Sequence, residues 1–134
     1  MNNSAYTKEV IDHFTKPRNM GEMKNPDSIG VLGNPTCGDV MKIYLRITKK
    51  KVKNNEIEVI KDIKFQTMGC AAAISTSSMV TELAKGKTLN EAKKITNKDV
   101  AHALGDLPKI KMHCSNLAAD ALKKAIENWE KKKS

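Results

Sequence analysis

The chain has 134 residues, 40% of them hydrophobic and 29% charged, which is one domain's worth of ordinary globular sequence and excludes wholesale disorder. Lysine and arginine number 24 against 15 acidic residues, a net charge of +9 that favours acidic partners such as nucleic acid, anionic lipid, phosphate or an acidic protein face. Three cysteines are too few, and odd in number, for a disulfide framework.

The start, Met1 to Lys8, is polar and lacks the apolar stretch of a secretory signal. No apolar run approaches the ~20 residues of a membrane span. The expectation is therefore a cytoplasmic protein with no membrane partner, whose thiols serve as metal ligands or reactive groups rather than bridges. The spacing of Tyr6, Val10, Ile11 and Phe14 predicts a first helix from Ser4, as its cap, to Thr15, stopped by Pro17. Residues 17–38 are rich in Gly, Pro and Asn and read as loop, with one short edge strand near Ile29 to Leu32. Val40 to Ile47 keeps period two for most of its length and reads as a strand. The lysine-rich stretch Lys49 to Asn55 is expected to be a solvated connection. Ile57, Val59, Ile60, Ile63 and Phe65 continue into one or two further strands of an antiparallel meander.

At Gly69 the period changes. Ala71 to Ala84 is expected to be a helix ended by Gly86. Thr88 and Glu91 have capping-box spacing and open a short helix to about Ile95. Asn97 is expected to cap another, ended by Gly105. Pro108 opens an extended segment. The last helix starts near His113 or Cys114, carries Leu117, Ala118, Ala121, Leu122, Ala125, Ile126 and Trp129 at helical spacing, and ends in a lysine tail read as solvated. The order implies an α+β fold, a small antiparallel β-sheet of about three strands packed against helices. Residues 1–134 are taken as one domain, with 1–20 and 130–134 as flexible ends.

The cysteines lie at 37, 70 and 114, without a CxxC, so the spacing is not that of a zinc ribbon, finger or thioredoxin site. Cys37 sits in a glycine-flanked loop before a strand. Cys70 follows Gly69 at a helix N-terminus, and Cys114 follows His113 at another. Unpaired backbone N–H groups and the positive helix pole stabilise a thiolate there, and the thiolate is the form that binds metal or attacks sulfur. Asp39 and His113 are the natural additional ligands. A mixed sulfur, nitrogen and oxygen set suits zinc or iron, and a set short of four cysteines predicts an exchangeable site. His13 and His102 read as structural or surface residues. The small residues from Ala71 to Ser78 suit close packing and also leave room beside Cys70.

Four segments carry a resemblance: Tyr6 to Asn19, Asn34 to Met41 with Cys37-Gly38-Asp39, Phe65 to Ser78 with Gly69-Cys70, and Lys111 to Leu117 with His113-Cys114. In order and near spacing they resemble the iron–sulfur cluster assembly scaffold family (IscU and the N-terminal domain of NifU) across essentially the whole chain. The resemblance implies an IscU/SufE-like sandwich. It further implies that a cysteine desulfurase delivers persulfide sulfur to Cys114, and that iron enters through Cys37, Asp39, Cys70, His113 and Cys114. An electron donor such as a ferredoxin then reduces the persulfide, and a [2Fe-2S] cluster forms and passes to apo iron–sulfur proteins. Zinc is expected to occupy the same positions in purified protein. In this reading the chain is a sulfur acceptor and carrier, not a turnover enzyme. Where many bacterial members carry Leu-Pro-Pro-Val-Lys, a segment bound by an Hsp70-type chaperone, this chain has Leu107, Pro108, Lys109, Ile110 and Lys111, without the second proline. The related SufU proteins carry a long insertion and lack the histidine, so the IscU branch fits better. The alternative is a persulfide-relay sulfurtransferase or a zinc-binding protein using the same cysteines. Nucleic-acid binding is disfavoured, because only 4% of residues are aromatic and no recognition motif is present.

Overall fold

The computed structural model describes the backbone of residues 7–34, 39–68, 71–105 and 112–133, and the side chains of 7–33, 40–68, 73–105 and 117–133. Helix α1 (Lys8–Thr15) precedes strands β1 (Ser28–Asn34), β2 (Asp39–Val52) and β3 (Asn55–Thr67). Helices α2 (Ala71–Ala84), α3 (Leu89–Lys93), α4 (Asn97–Ala103) and α5 (Met112–Lys133) follow. The strands form an antiparallel sheet in the order β1-β2-β3. Helix α5 packs on β1 and β2, α2 on β3, and α1 and α4 join them from the side. This is the expected α+β arrangement.

Alternation selects the buried face. Met41, Ile43 and Leu45 of β2 are fully buried, and Ile43 and Leu45 lie opposite the equally buried Phe65 and Ile63. Ile60 is also buried, although it stands three residues before Ile63. A bulge explains it: Arg46 pairs with Asp62 but Ile47 pairs with Ile60, so Lys61 is the extra residue and the parity of β3 flips there. The core closes with Val80 and Ala84 of α2, Val100 of α4 and Leu104 at its end, and Ala118, Leu122 and Ile126 of α5.

Several boundaries differ from expectation. Helix α1 begins at Lys8, because Thr7 is its cap and accepts from the Val10 N–H; Ser4 lies outside the described residues. Helix α4 is capped by Thr96 rather than Asn97, in a capping box closed by Asp99. Lys49 to Val52 belongs to β2 instead of forming a loop. Lys49 faces Glu58 and Lys51 faces Glu56, so opposite charges pair across the ladder. The turn is confined to Lys53 and Asn54, both with positive φ (50° and 69°), which suits the right-handed twist of a two-residue hairpin. The lysine tail is helical. Lys133 pairs with Glu58 at 2.9 Å, and Trp129 donates to the same carboxylate at 2.8 Å. Burial alone raises the Glu58 pKa, but these two hydrogen bonds win and hold it below the ordinary value.

Helix α2 is unusual in burying Ser75, Thr76, Ser77, Ser78 and Thr81 completely. Each hydroxyl is satisfied: Ser75 donates to the Val10 carbonyl at 2.7 Å, tying α1 to α2, and Ser77 donates to the Ala73 carbonyl. The outer edge of β3 is also covered. Phe65 N–H donates to Asn19 O and Gly21 N–H to Phe65 O on one stretch, and Lys87 and Gly86 do the same at Ile60.

Candidate functional site

Cys37 and Cys70 lie outside the described residues, as does the segment Leu107 to Lys111 with Pro108. The backbones of Asp39, His113 and Cys114 are described, and their positions follow from the sheet and α5. Asn34, the last residue of β1, is the register partner of Asp39, the first of β2. Met41 pairs with Thr67, and the Met68 N–H donates to the Val40 carbonyl at 3.4 Å. The chain therefore leaves the sheet before Cys37, and again before Cys70, at the same end. It re-enters regular structure at Asp39 and at Ala71, the first residue of α2.

Helix α5 reaches that end as well, because it runs antiparallel to β1. Lys132 donates to Asp27 O, Ser28 donates to Ala125 O at 2.6 Å, and Asn128 donates to Ile29 O at 2.8 Å. Ala121 lies over Gly30, so close that a Cβ at Gly30 would meet the Ala121 carbonyl oxygen at 2.4 Å. From Ala121 back to Cys114 is about 10 Å of helix. From Gly30 on to Asn34 is about 13 Å of strand. The first turn of α5, with His113 and Cys114, is thus level with the Asn34–Asp39 pair.

This end of the molecule therefore gathers the flanks of two cysteines, the aspartate, and a helix N-terminus bearing the histidine and the third cysteine. Helix α2 starts one residue after Cys70, and Cys114 is the third residue of α5. The first four N–H groups of a helix lack intrahelical partners, and their partial positive charge favours thiolate over thiol. Among the described side chains, no group of three or more His, Cys, Asp and Glu could hold a metal ion elsewhere. His13 is buried between α1 and α2, as a structural residue, and His102 is exposed on α4. No helix among the described residues is long and apolar enough to cross a membrane.

The comparisons with known proteins agree on a family. The NifU-like N terminal domain matches residues 5–134, so the chain belongs to that family. It is 61% identical over 127 residues to the iron-sulfur cluster assembly scaffold protein IscU 1 of Archaeoglobus fulgidus, covering 95% of this chain and 78% of the relative. It is 46% identical over 132 residues to the IscU scaffold protein of Escherichia coli, covering 96% and 97%. The crystal structure of a NifU-like N-terminal protein from Brucella abortus shares the fold, with a TM-score of 0.63 at 19% identity over 94% of each chain.

Proposed function

We propose that this protein is an assembly scaffold, on which iron and desulfurase-derived sulfur combine into a [2Fe-2S] cluster that then passes to apo iron–sulfur proteins. The observation that carries the reading is the convergence at one sheet end of the flanks of Cys37 and Cys70, of Asp39, and of the first turn of α5. The 61% identity to a protein named as such a scaffold supports it.

In this reading the Cys114 thiolate attacks the terminal sulfur of a persulfide on a cysteine desulfurase. The donor's S–S bond breaks, its cysteine leaves as thiolate, and the new S–S bond is on Cys114. No electrons are gained or lost in that exchange. Release of sulfide from the Cys114 persulfide consumes two electrons, which a ferredoxin-type donor supplies. Cys37, Asp39, Cys70, His113 and Cys114 receive the iron. The thiolates supply the strong ligands. The carboxylate and imidazole hold iron less firmly than a fourth thiolate would, which suits cargo that must leave. Zinc competes for the same donors. The protein acts in the cytoplasm as a stoichiometric carrier within one domain, and Leu107 to Lys111 is the segment an Hsp70-type chaperone would grip.

Anaerobic reconstitution with iron, cysteine and a desulfurase tests this. The expected product shows charge-transfer absorption and the Mössbauer pattern of a [2Fe-2S] centre. Persulfide accumulating on Cys114 without any cluster would establish the relay reading instead.

A further inference from the structure

The proposed function leaves two lysine runs, Lys49 to Lys53 and Lys131 to Lys133, without a task. They are far apart in sequence, and the fold brings them to one pole. Lys133, at the end of α5, pairs with Glu58 of the β2–β3 hairpin at 2.9 Å, and Trp129 donates to the same carboxylate. Lys93 of α3 joins them by pairing with Glu130 at 2.5 Å. A groove of about 330 Å³ lies between the three elements, lined by Lys49 and Glu58, by Leu89 and Asn90, and by Glu130 and Lys133. This is the opposite end of the sheet from Asp39, because β2 runs from Asp39 to Val52 over about 40 Å of strand.

Residues 49–58 and 129–133 hold seven lysines and three glutamates, four of the nine charges in the chain's excess. All three glutamates line the groove, and each already has a lysine: Glu58 has Lys133, Glu130 has Lys93, and Glu56 stands opposite Lys51 in the ladder. Lys50, Lys53 and Lys131 are exposed, with no carboxylate within ion-pair distance among the described residues. We propose that this pole docks an acidic segment of a partner protein, its carboxylates meeting these three lysines on the hairpin and α5 sides of the groove. An excess of one sign steers an opposite surface towards it and gives binding that weakens with salt. A second copy of this chain is a poor occupant, since it would bring the same lysines to the contact. A nucleic-acid strand carries a charge on every phosphate and would set some of them over Glu56, Glu58 and Glu130, whereas a polypeptide can place neutral residues there. Nor does the pole offer a stacking platform, since Trp129 is half-buried with its N–H on Glu58. A bilayer would find only Val52 to receive, the one large hydrophobic side chain exposed at this pole among the described residues. The proposal is independent of the scaffold reading, as it uses none of the cysteines and leaves their end of the sheet open to other partners.

Selection from a random dodecapeptide library on the full-length protein, counter-selected on a Lys50→Glu/Lys53→Glu/Lys131→Glu variant, tests it. Recovered peptides should be rich in Asp and Glu, and should shift the amide resonances of residues 49–58 and 129–133. Their affinity should fall about tenfold or more on the triple variant, and by a similar factor between about 50 and 300 mM salt. The milder Lys50→Gln/Lys53→Gln/Lys131→Gln variant, which only removes charge, should lose about threefold or more. A Cys37→Ser/Cys70→Ser/Cys114→Ser variant should bind them as wild type does. All three lysines are solvent-facing, and matching thermal midpoints would show that the lysine variants fold. Failure to recover selective peptides, peptides lacking acidic residues, binding that the lysine variants or salt leave undiminished, or binding lost with the cysteines would overturn the proposal. So would single-stranded DNA or anionic lipid vesicles binding wild type more tightly than the peptides do, and the triple variant not at all, which would reassign the pole to nucleic acid or to a membrane.

Discussion

The hydroxyl oxygen of Ser78 lies 2.7 Å from Nδ1 of His13 and also accepts the backbone N–H of Arg18 at 2.9 Å. In the neutral ring with its proton on Nε2, Ser78 donates to Nδ1 and Nε2–H faces Glu82 at 3.2 Å. Burial lowers the His13 pKa from the ordinary 6.5, Arg18 lowers it further, and Glu82 and Asp12 only partly offset this. The unfolded chain therefore binds a proton at a pH where the folded chain does not. This contribution is intact above about pH 6.5 and is lost as pH falls from there towards the lowered folded value. Urea midpoints measured between about pH 7.5 and pH 5 should fall on acidification, and His13→Gln should flatten that slope while lowering the plateau. An unchanged slope in the variant would assign the acid sensitivity elsewhere.

Gly30 is the point where α5 rests on β1. A Cβ there would sit 2.4 Å from Ala121 O and 2.5 Å from Ala125 N, both backbone atoms that cannot swing aside. Gly30→Ala should cost about 1–3 kcal/mol, the usual range for overpacking, read as a lower urea midpoint. Because α5 carries Cys114 at its start, the same variant should also lower the yield of reconstituted cluster. A midpoint equal to wild type would contradict the close approach.

Helices α3 and α4 are too short to stand without their caps. Thr88 and Thr96 each accept an N3 N–H while Glu91 and Asp99 bond back. Thr88→Ala and Thr96→Ala should each lower stability by about 1 kcal/mol. Asn90→Ala, at an exposed position of α3, serves as the neutral control in the same denaturation series.

The elements were legible where one local signal dominated. Ala71 to Ala84 showed its helix through small residues and Gly86, which takes the φ of +85° expected after a helix end. The first cap was misplaced because Ser4 and Thr7 both suit the role, and only the long-range hydrogen bond of Thr7 to the Leu104 carbonyl selects the second. The lysine run read as loop because its strand state depends on Glu56 and Glu58 across the ladder, which a single-strand pattern does not contain. The bulge at Lys61 hid the parity of β3 for the same reason. At the candidate site, residue types were visible in the sequence, but their meeting was not: it rests on α5 running antiparallel to β1, a tertiary fact. His13 looked like a helix residue among apolar neighbours, and only packing against α2 reveals its partners.

Asp39 begins β2 where β1 ends, beside the chain segment that carries Cys37. As an oxygen donor among thiolates it is the weak ligand of the proposed set. Asp39→Ala should slow loss of the reconstituted cluster severalfold, followed as decay of its visible absorption under argon with a chelator present. Unchanged or faster decay would sink the labilising role.

In the proposed function the cluster is built to leave. Its most direct measurement is transfer: reconstituted protein is mixed anaerobically with an apo-ferredoxin, the two are separated, and the cluster is assayed on each by absorption and circular dichroism. The acceptor should gain a [2Fe-2S] centre as this protein loses one, at a rate unaffected by a chelator that traps free iron. A cluster that stays on this chain, or reaches the acceptor only when free iron is left untrapped, would contradict it.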